Sequence, residues 1–140
     1  DCDLVAMGVT SISSVGNTYA QNVKDLDGYH KRINTGCLPV FRGVELSEDD
    51  VLRRNIISEL VCHFFLDIHA LEKKYNIRFL DYFNTEIPVL ADMQNDGLLE
   101  HDEEAIRVLP AGRLLIRNIC MVFDAYLREP GEKQSFSRAI

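Results

Sequence analysis

The 140-residue chain contains no apolar run near the roughly 20 residues that a helix needs to cross a bilayer. Its opening, Asp1-Cys2-Asp3, has neither the basic nor the apolar segment of a signal peptide. No Gly-rich phosphate loop, Gly-x-Ser-x-Gly elbow or Cys/His pair occurs, which removes the usual nucleotide-binding and nucleophilic-hydrolase readings. Cys2, Cys37, Cys62 and Cys120 lack paired spacing. A zinc site needs two close ligand pairs converging on one ion, so none is expected. A chain this long and apolar has little need of a disulfide scaffold, and buried free thiols in a reducing cytoplasm are the expectation. His30, His63, His69 and His101 also stand apart. His63, inside a core helix, is expected to be a packed, hydrogen-bonded side chain.

Basic residues are missing where they would matter most. From Phe79 to Ile106 there are eight acidic residues and neither Lys nor Arg, within a net charge of −7. Duplex DNA is held by cations placed against phosphate, so a surface built from this stretch should repel nucleic acid. The 46% hydrophobic and 26% charged content is ordinary for a soluble globular domain with a real core.

Leu4-Val5-Ala6-Met7 reads as a short buried strand of a parallel sheet. A polar, small-residue loop follows from Gly8 to Asn17, with Gly16-Asn17 as a turn signal. Val23, Leu26, Tyr29 and Ile33 predict a helix over 22–34, stopped by Gly36. Strand, loop and helix make one βα unit without a sheet to complete, and the chain opens without Met, so it is expected to be cut from something larger. Val40 to Leu46 is expected to be extended.

Ser47 can cap a helix whose first turn, Glu48-Asp49-Asp50, suits the positive end of its dipole. Leu52, Ile56, Leu60 and Phe64 form an i+4 row, predicting a core helix over 50–66. Asp67 caps a short helix through Ile68, Leu71 and Tyr75, ended by Asn76. A helical piece starts at Phe79, and Pro88 separates it from another that Thr85 caps and Asp96-Gly97 stops. Leu98–Glu100 and Ile106–Leu109 are predicted hairpin strands around Asp102-Glu103-Glu104. Pro110 opens a long predicted helix to Leu127 with Ile116, Cys120, Phe123 and Leu127 as its apolar row. The tail from Glu129 to Ser137 is polar and expected to be loose in part.

The fold class expected is mostly α with small β. A winged-helix-like helical domain (46–140) is preceded by residues 1–45, a strand, loop, helix and extended linker. One function this allows is an acidic winged-helix module that binds proteins.

The run Gly112-Arg113-Leu114-Leu115-Ile116-Arg117-Asn118-Ile119-Cys120-Met121-Val122-Phe123-Asp124, the segment Val9 to Asn22 and the ending Ser135-Phe136-Ser137-Arg138-Ala139-Ile140 point elsewhere. Together they resemble the C-terminal third of the oxygen-independent coproporphyrinogen III oxidases, a radical S-adenosylmethionine (SAM) family of haem biosynthesis. The resemblance runs from about Asp3 to Ile140. It implies that residues 1–45 are a βα remnant at the C-terminal edge of a radical SAM barrel. It implies a cytoplasmic parent oxidoreductase that converts two propionates of coproporphyrinogen III to vinyl groups, giving protoporphyrinogen IX. The parent's cofactors would be a [4Fe–4S] cluster and SAM. The family's Cys-x-x-x-Cys-x-x-Cys is absent, so this fragment is expected to hold neither and to be inactive alone. Related radical enzymes that handle haem share parts of this tail, and the match through Gly112–Asp124 favours the oxidase.

The resemblance also implies site residues. Ile12, in a matching Gly-Val-x-x-Ile-Ser run, corresponds to a position that touches SAM, with Gly8, Ser11 and Ser13 as weaker neighbours. Tyr19, Gln21 and Asn22 match a Tyr-Ala-Gln-Asn run and either face substrate or hold the loop. Arg113 and Arg117, four apart on one helix face, either pair with acids such as Asp124 or Glu59 or recognise propionates. Arg42 is a third candidate for that role. No nucleic-acid or membrane partner is expected. The fragment should pack on the missing barrel, and its orphaned βα unit invites dimerisation.

Overall fold

The computed structural model describes residues 2–127. The chain divides into two compact units, Asp1–Val51 and Leu52–Ile140. The architecture is of helices with two small sheets, as expected in outline.

The first unit is built on an antiparallel sheet of β1 (Ile12–Val15), β2 (Thr18–Asn22) and β3 (Val40–Glu45), in the order β1-β2-β3. The expected parallel strand at Leu4–Met7 is absent; Leu4 makes one isolated bridge to Ser14. The expected loop is mostly a hairpin, because Gly16-Asn17 turns the chain tightly enough for its flanks to pair. Gly16 has φ +55, a region that favours glycine. The unit thus has a sheet of its own. Helix α1 (Leu26–Asn34) begins later than expected because residues to Asn22 belong to β2. Asp25 caps it by accepting the Gly28 N–H at 2.6 Å.

Helix α2 (Glu48–His63), most of which belongs to the second unit, starts on a reciprocal cap. Ser47 Oγ accepts the Asp50 N–H at 3.2 Å, and the Asp50 carboxylate accepts the Ser47 N–H at 2.9 Å. Leu52, Ile56 and Leu60 are buried as their spacing requires. The helix stops short of the expected Leu66 because Phe64 turns to φ +56. The next residues form β4 (Phe65–Asp67), a strand the helical row concealed.

Helices α3 (Ile68–Tyr75), α4 (Phe79–Tyr82) and α5 (Ile87–Asn95) follow. Asp67 Oδ1 accepts the Ala70 N–H at 2.8 Å, and left-handed Asn76 ends α3, both as anticipated. Thr85 is not the cap of α5; Glu86 holds that place, with Pro88 in the first turn. Strands β5 (Leu99–His101) and β6 (Ala105–Val108) form the hairpin, and β6 also pairs with β4, giving the order β4-β6-β5.

The long helix expected from Pro110 to Leu127 is two short ones, α6 (Pro110–Leu114) and α7 (Ile116–Met121), and a 3₁₀ turn, Ala125–Leu127. Leu115, at φ −109 and ψ 21, breaks it. Gly112 explains the seating of α6: a Cβ there would be driven into the Leu98 carbonyl and to 3.0 Å from Val108. Ile119, Cys120, Val122 and Phe123 then complete a core with Leu52, Ile56, Leu60, Phe79, Phe83, Leu90 and Ile106. Among the described residues no helix is long and apolar enough to cross a membrane. The tail from Glu129, including Ser135–Ile140, lies outside the described residues.

Candidate functional site

Cross-strand register decides which side chains meet. Ile12 lies opposite Gln21, which lies opposite Arg42; Ser14 lies opposite Tyr19, which lies opposite Val44. Paired residues share a face and successive residues alternate. One face of the first sheet therefore collects Ile12, Tyr19, Gln21, Arg42 and Val44. A concavity of about 310 Å³ opens there, lined by these five side chains and Gly43. Gly43 is required by close approach, since a Cβ would stand 3.0 Å from the Tyr19 carbonyl oxygen.

The polar groups of this face are ordered. Arg42 Nε donates to Gln21 Oε1 at 2.9 Å, and Gln21 Nε2 reaches the Thr10 carbonyl at 3.4 Å. Thr10 has φ +60, an unfavourable conformation for a β-branched residue. Its N–H donates to the Val23 carbonyl at 2.9 Å, which helps hold that shape. Ile12 leaves 53% of its surface exposed, an apolar side chain beside the guanidinium.

The remaining expected site residues of this segment hold the backbone. Ser13 Oγ accepts the Ala6 N–H at 3.0 Å, and Ser11 Oγ donates to the Met7 carbonyl at 2.7 Å. Asn22, only 4% exposed, donates through Nδ2 to the Gly8 carbonyl at 2.9 Å. Gly8, at φ +99, donates its N–H to the Tyr29 hydroxyl. Of the two uses open to the Tyr-Ala-Gln-Asn run, Asn22 holds the loop while Tyr19 and Gln21 line the concavity. Gly43 and Val44 went unrecognised from sequence. No local signal reveals them, because they reach the site through the pairing of β2 with β3 across the intervening helix.

Arg113 and Arg117 do not share an unbroken helix, because the break at Leu115 separates them. Both are exposed. The Arg113 guanidinium stands over the Phe64 ring, 4.8 Å from its centroid. Among the described residues, neither arginine forms an ion pair with Asp124 or Glu59. His63 is also exposed rather than packed; its Nε2 lies 3.8 Å from Glu59.

The cysteines differ from expectation as well: Cys2, Cys37 and Cys62 are exposed, and only Cys120 is buried. Burial pushes the Cys120 thiol up to about 11, so it stays neutral and is no nucleophile. In the β5–β6 turn, the Ala105 and Glu104 N–H groups hold the Asp102 carboxyl below its ordinary value, with Arg107 adding to the effect. Sequence reading also missed Glu86, which is 1% exposed and pairs with Arg53 at 2.8 Å within the second unit. That pair joins a core contact, since Arg53 lies over the Phe83 ring.

This chain belongs to the HemN C-terminal domain family, whose profile matches residues 46–115. Over all 140 residues it is 46% identical to the oxygen-independent coproporphyrinogen III oxidase of Escherichia coli (strain K12), covering 31% of that protein. The enzyme of the same name from Synechocystis is 43% identical over 144 residues, again with 31% of its length matched. A solved structure of coproporphyrinogen III oxidase (HemN) from Escherichia coli, described as a radical SAM enzyme, superposes with a TM-score of 0.86 at 44% identity. That superposition covers 90% of this chain and 29% of the other. The chain thus spans about a third of the length of the curated relatives it matches.

Proposed function

We propose that the chain is the C-terminal part of an oxygen-independent coproporphyrinogen III oxidase and forms one wall of its active site together with an accessory region. The observation that carries this reading is the 46% identity to the Escherichia coli oxidase, sustained from the first residue to the last. The reaction of the whole protein is then oxidative decarboxylation of two propionates of coproporphyrinogen III to vinyl groups, giving protoporphyrinogen IX in the cytoplasm. A [4Fe–4S] cluster and SAM, where the whole protein holds them, supply the hydrogen-abstracting chemistry.

The residues described here do not fit the cluster. Among them, no group of three His, Cys, Asp or Glu side chains comes together in a way that could hold a metal. The cluster needs convergent thiolates, and the described residues of this chain do not supply them. The face around Ile12 suits SAM better, since it offers an apolar side chain beside hydrogen-bonding groups. Ile12 is assigned the cofactor contact, and Gly8, Ser11 and Ser13 support it by fixing the segment. Tyr19, Gln21 and Arg42 are assigned to substrate or cofactor recognition on the same face, whereas Asn22 acts by holding the backbone. Arg113 and Arg117 remain propionate candidates by virtue of exposed guanidinium groups.

The second unit reads as a winged-helix-like scaffold. Its α5 and β5–β6 carry acids where nucleic-acid binders carry cations, with Arg107 tied to Asp102 at 3.1 Å. The exposed Leu4, Val5, Met7, Leu38 and Phe41 support packing of the first unit on the remaining barrel.

The test is anaerobic reconstitution of the full-length protein beside the 140-residue chain. Turnover of coproporphyrinogen III is expected in the former only, and the latter should bind no stoichiometric iron and sulfide. A full-length protein that leaves coproporphyrinogen III untouched and binds haem would replace this reading with the haem-handling relative.

A further inference from the structure

The concavity on the first sheet holds an arginine whose orientation is fixed from one side only. Arg42 commits its Nε to Gln21, and among the described residues this is the one hydrogen bond of its guanidinium. Gln21 is tied in turn by its Nε2 to the carbonyl of left-handed Thr10. Guanidinium is planar, so fixing Nε fixes the plane and leaves the paired terminal nitrogens as a preset fork. Ile12, Tyr19 and Val44 line the same hollow and supply apolar and aromatic surface beside that fork. Such a pairing suits an anionic group with two equivalent oxygens carried on a largely apolar or planar body.

We propose that Arg42 receives a carboxylate of the bound ligand and that Gln21 is the positioning residue that presents its terminal nitrogens. The proposal rests on the functional reading above for what the ligands are. Two sources offer the same chemistry there: a propionate of coproporphyrinogen III and the amino-acid carboxylate of SAM. No bond is made or broken at this group; its contribution is binding and orientation, and it neutralises a charge that would otherwise enter the hollow uncompensated.

The relay makes a demand that simple charge attraction does not. Lysine keeps the charge at position 42 but has no Nε–H donor placed for Gln21 and no fork. Gln21 should therefore matter when residue 42 is arginine and cease to matter when it is lysine.

The experiment uses the full-length protein carrying Arg42→Met, Arg42→Lys, Gln21→Leu and the double change Arg42→Lys with Gln21→Leu. Equilibrium binding of coproporphyrin III, the stable oxidised macrocycle, is followed by its fluorescence, and S-adenosylhomocysteine binding by calorimetry. Turnover supplies KM and kcat for each substrate. Arg42→Met is expected to weaken one of the two ligands at least tenfold, with kcat at saturation changed less than about threefold. Gln21→Leu should weaken the same ligand three- to fivefold. Adding it to Arg42→Lys should change nothing further. Weaker coproporphyrin III binding assigns the propionate, and weaker S-adenosylhomocysteine binding assigns the cofactor carboxylate. Unchanged affinity for both ligands in Arg42→Met, in a protein that still turns over coproporphyrinogen III, overturns the proposal and leaves the functional reading standing. A wild-type protein inactive on that substrate overturns the reading itself, and the two binding measurements then judge Arg42 alone. Equal effects of Gln21→Leu on the arginine and lysine backgrounds would overturn the positioning role.

Discussion

The two units spend their apolar residues differently. The second buries sixteen apolar side chains in one cluster, from Leu52 to Phe123, each at most 7% exposed. Among the described residues the first buries only Val23 and Pro39, beside the polar Asn22. Its Leu4, Val5, Met7, Leu26, Leu38 and Phe41 are all more than half exposed. Its backbone is nonetheless fully specified, by strand pairing, by serine and asparagine side chains, and by glycine at the turns. A sheet can thus be shaped by hydrogen bonds while its apolar surface stays uncommitted. That surface is the part of the molecule most suited to meeting another.

The largest effects should come from damaging the packed unit. Glu86→Ala removes the buried carboxylate that pairs with the partly buried Arg53, which keeps its contact to the Phe123 carbonyl, and should cost about 3 kcal/mol, measured by denaturant unfolding. Gly112→Ala forces a methyl group into the Leu98 carbonyl and should cost about 1–3 kcal/mol through displacement of α6. If Gly112→Ala proves neutral, α6 is not seated as described.

Removing residues 1–45 should move the unfolding of the rest by less, and the transition should stay cooperative, because the buried cluster begins at Leu52. A broad, non-cooperative melt would mean that the second unit borrows stability from the first. In the first unit Thr10→Gly should be mildly stabilising, by about 1 kcal/mol, since glycine adopts its φ without strain.

Thiol chemistry gives a subtler contrast. At pH 8, Cys2, Cys37 and Cys62 should be alkylated readily while Cys120 reacts only as the second unit opens. The sign of its pH dependence follows from the raised value. Between the ordinary 9.0 and about 11 the unfolded chain releases a proton that the folded one keeps, so stability falls as pH rises through that window. Mass spectrometry of partly alkylated protein checks the first point and alkaline unfolding the second. The smallest effect expected is on nucleic acid: the wild-type chain should give no low-salt fluorescence titration with duplex DNA, and Asp92→Lys with Glu103→Lys should raise background binding slightly.

The helical unit was the more legible of the two in sequence, because period 3.6 rows and caps such as Asp67 and Ser47 act locally. Reading failed where a row ran past its element. Phe64 continues the Leu52–Ile56–Leu60 spacing yet turns the chain, and Leu115 breaks the helix expected from Pro110 just before its apolar row begins at Ile116. In the first unit β3 was legible, since Val40 to Leu46 reads as extended, whereas β1 and β2 were hidden because they are made largely of small and polar residues with little burial to mark a face. The candidate site was legible mainly through resemblance. The residues were named, but their division into a lining set and a backbone-holding set depends on hairpin register, which no local pattern encodes.

Strand β6 sits between a near neighbour and a far one, and this sets an order in time. Its hairpin with β5 closes across three residues, whereas β4 must be recovered from some forty positions upstream. Closing the longer loop costs more chain entropy before any contact repays it. The hairpin should therefore exist in the folding transition state before β4 joins it. Weakening Leu66 should then chiefly speed unfolding, and weakening Leu99 should chiefly slow folding. The middle strand of a sheet is thus also the place where the fast and slow halves of its assembly meet.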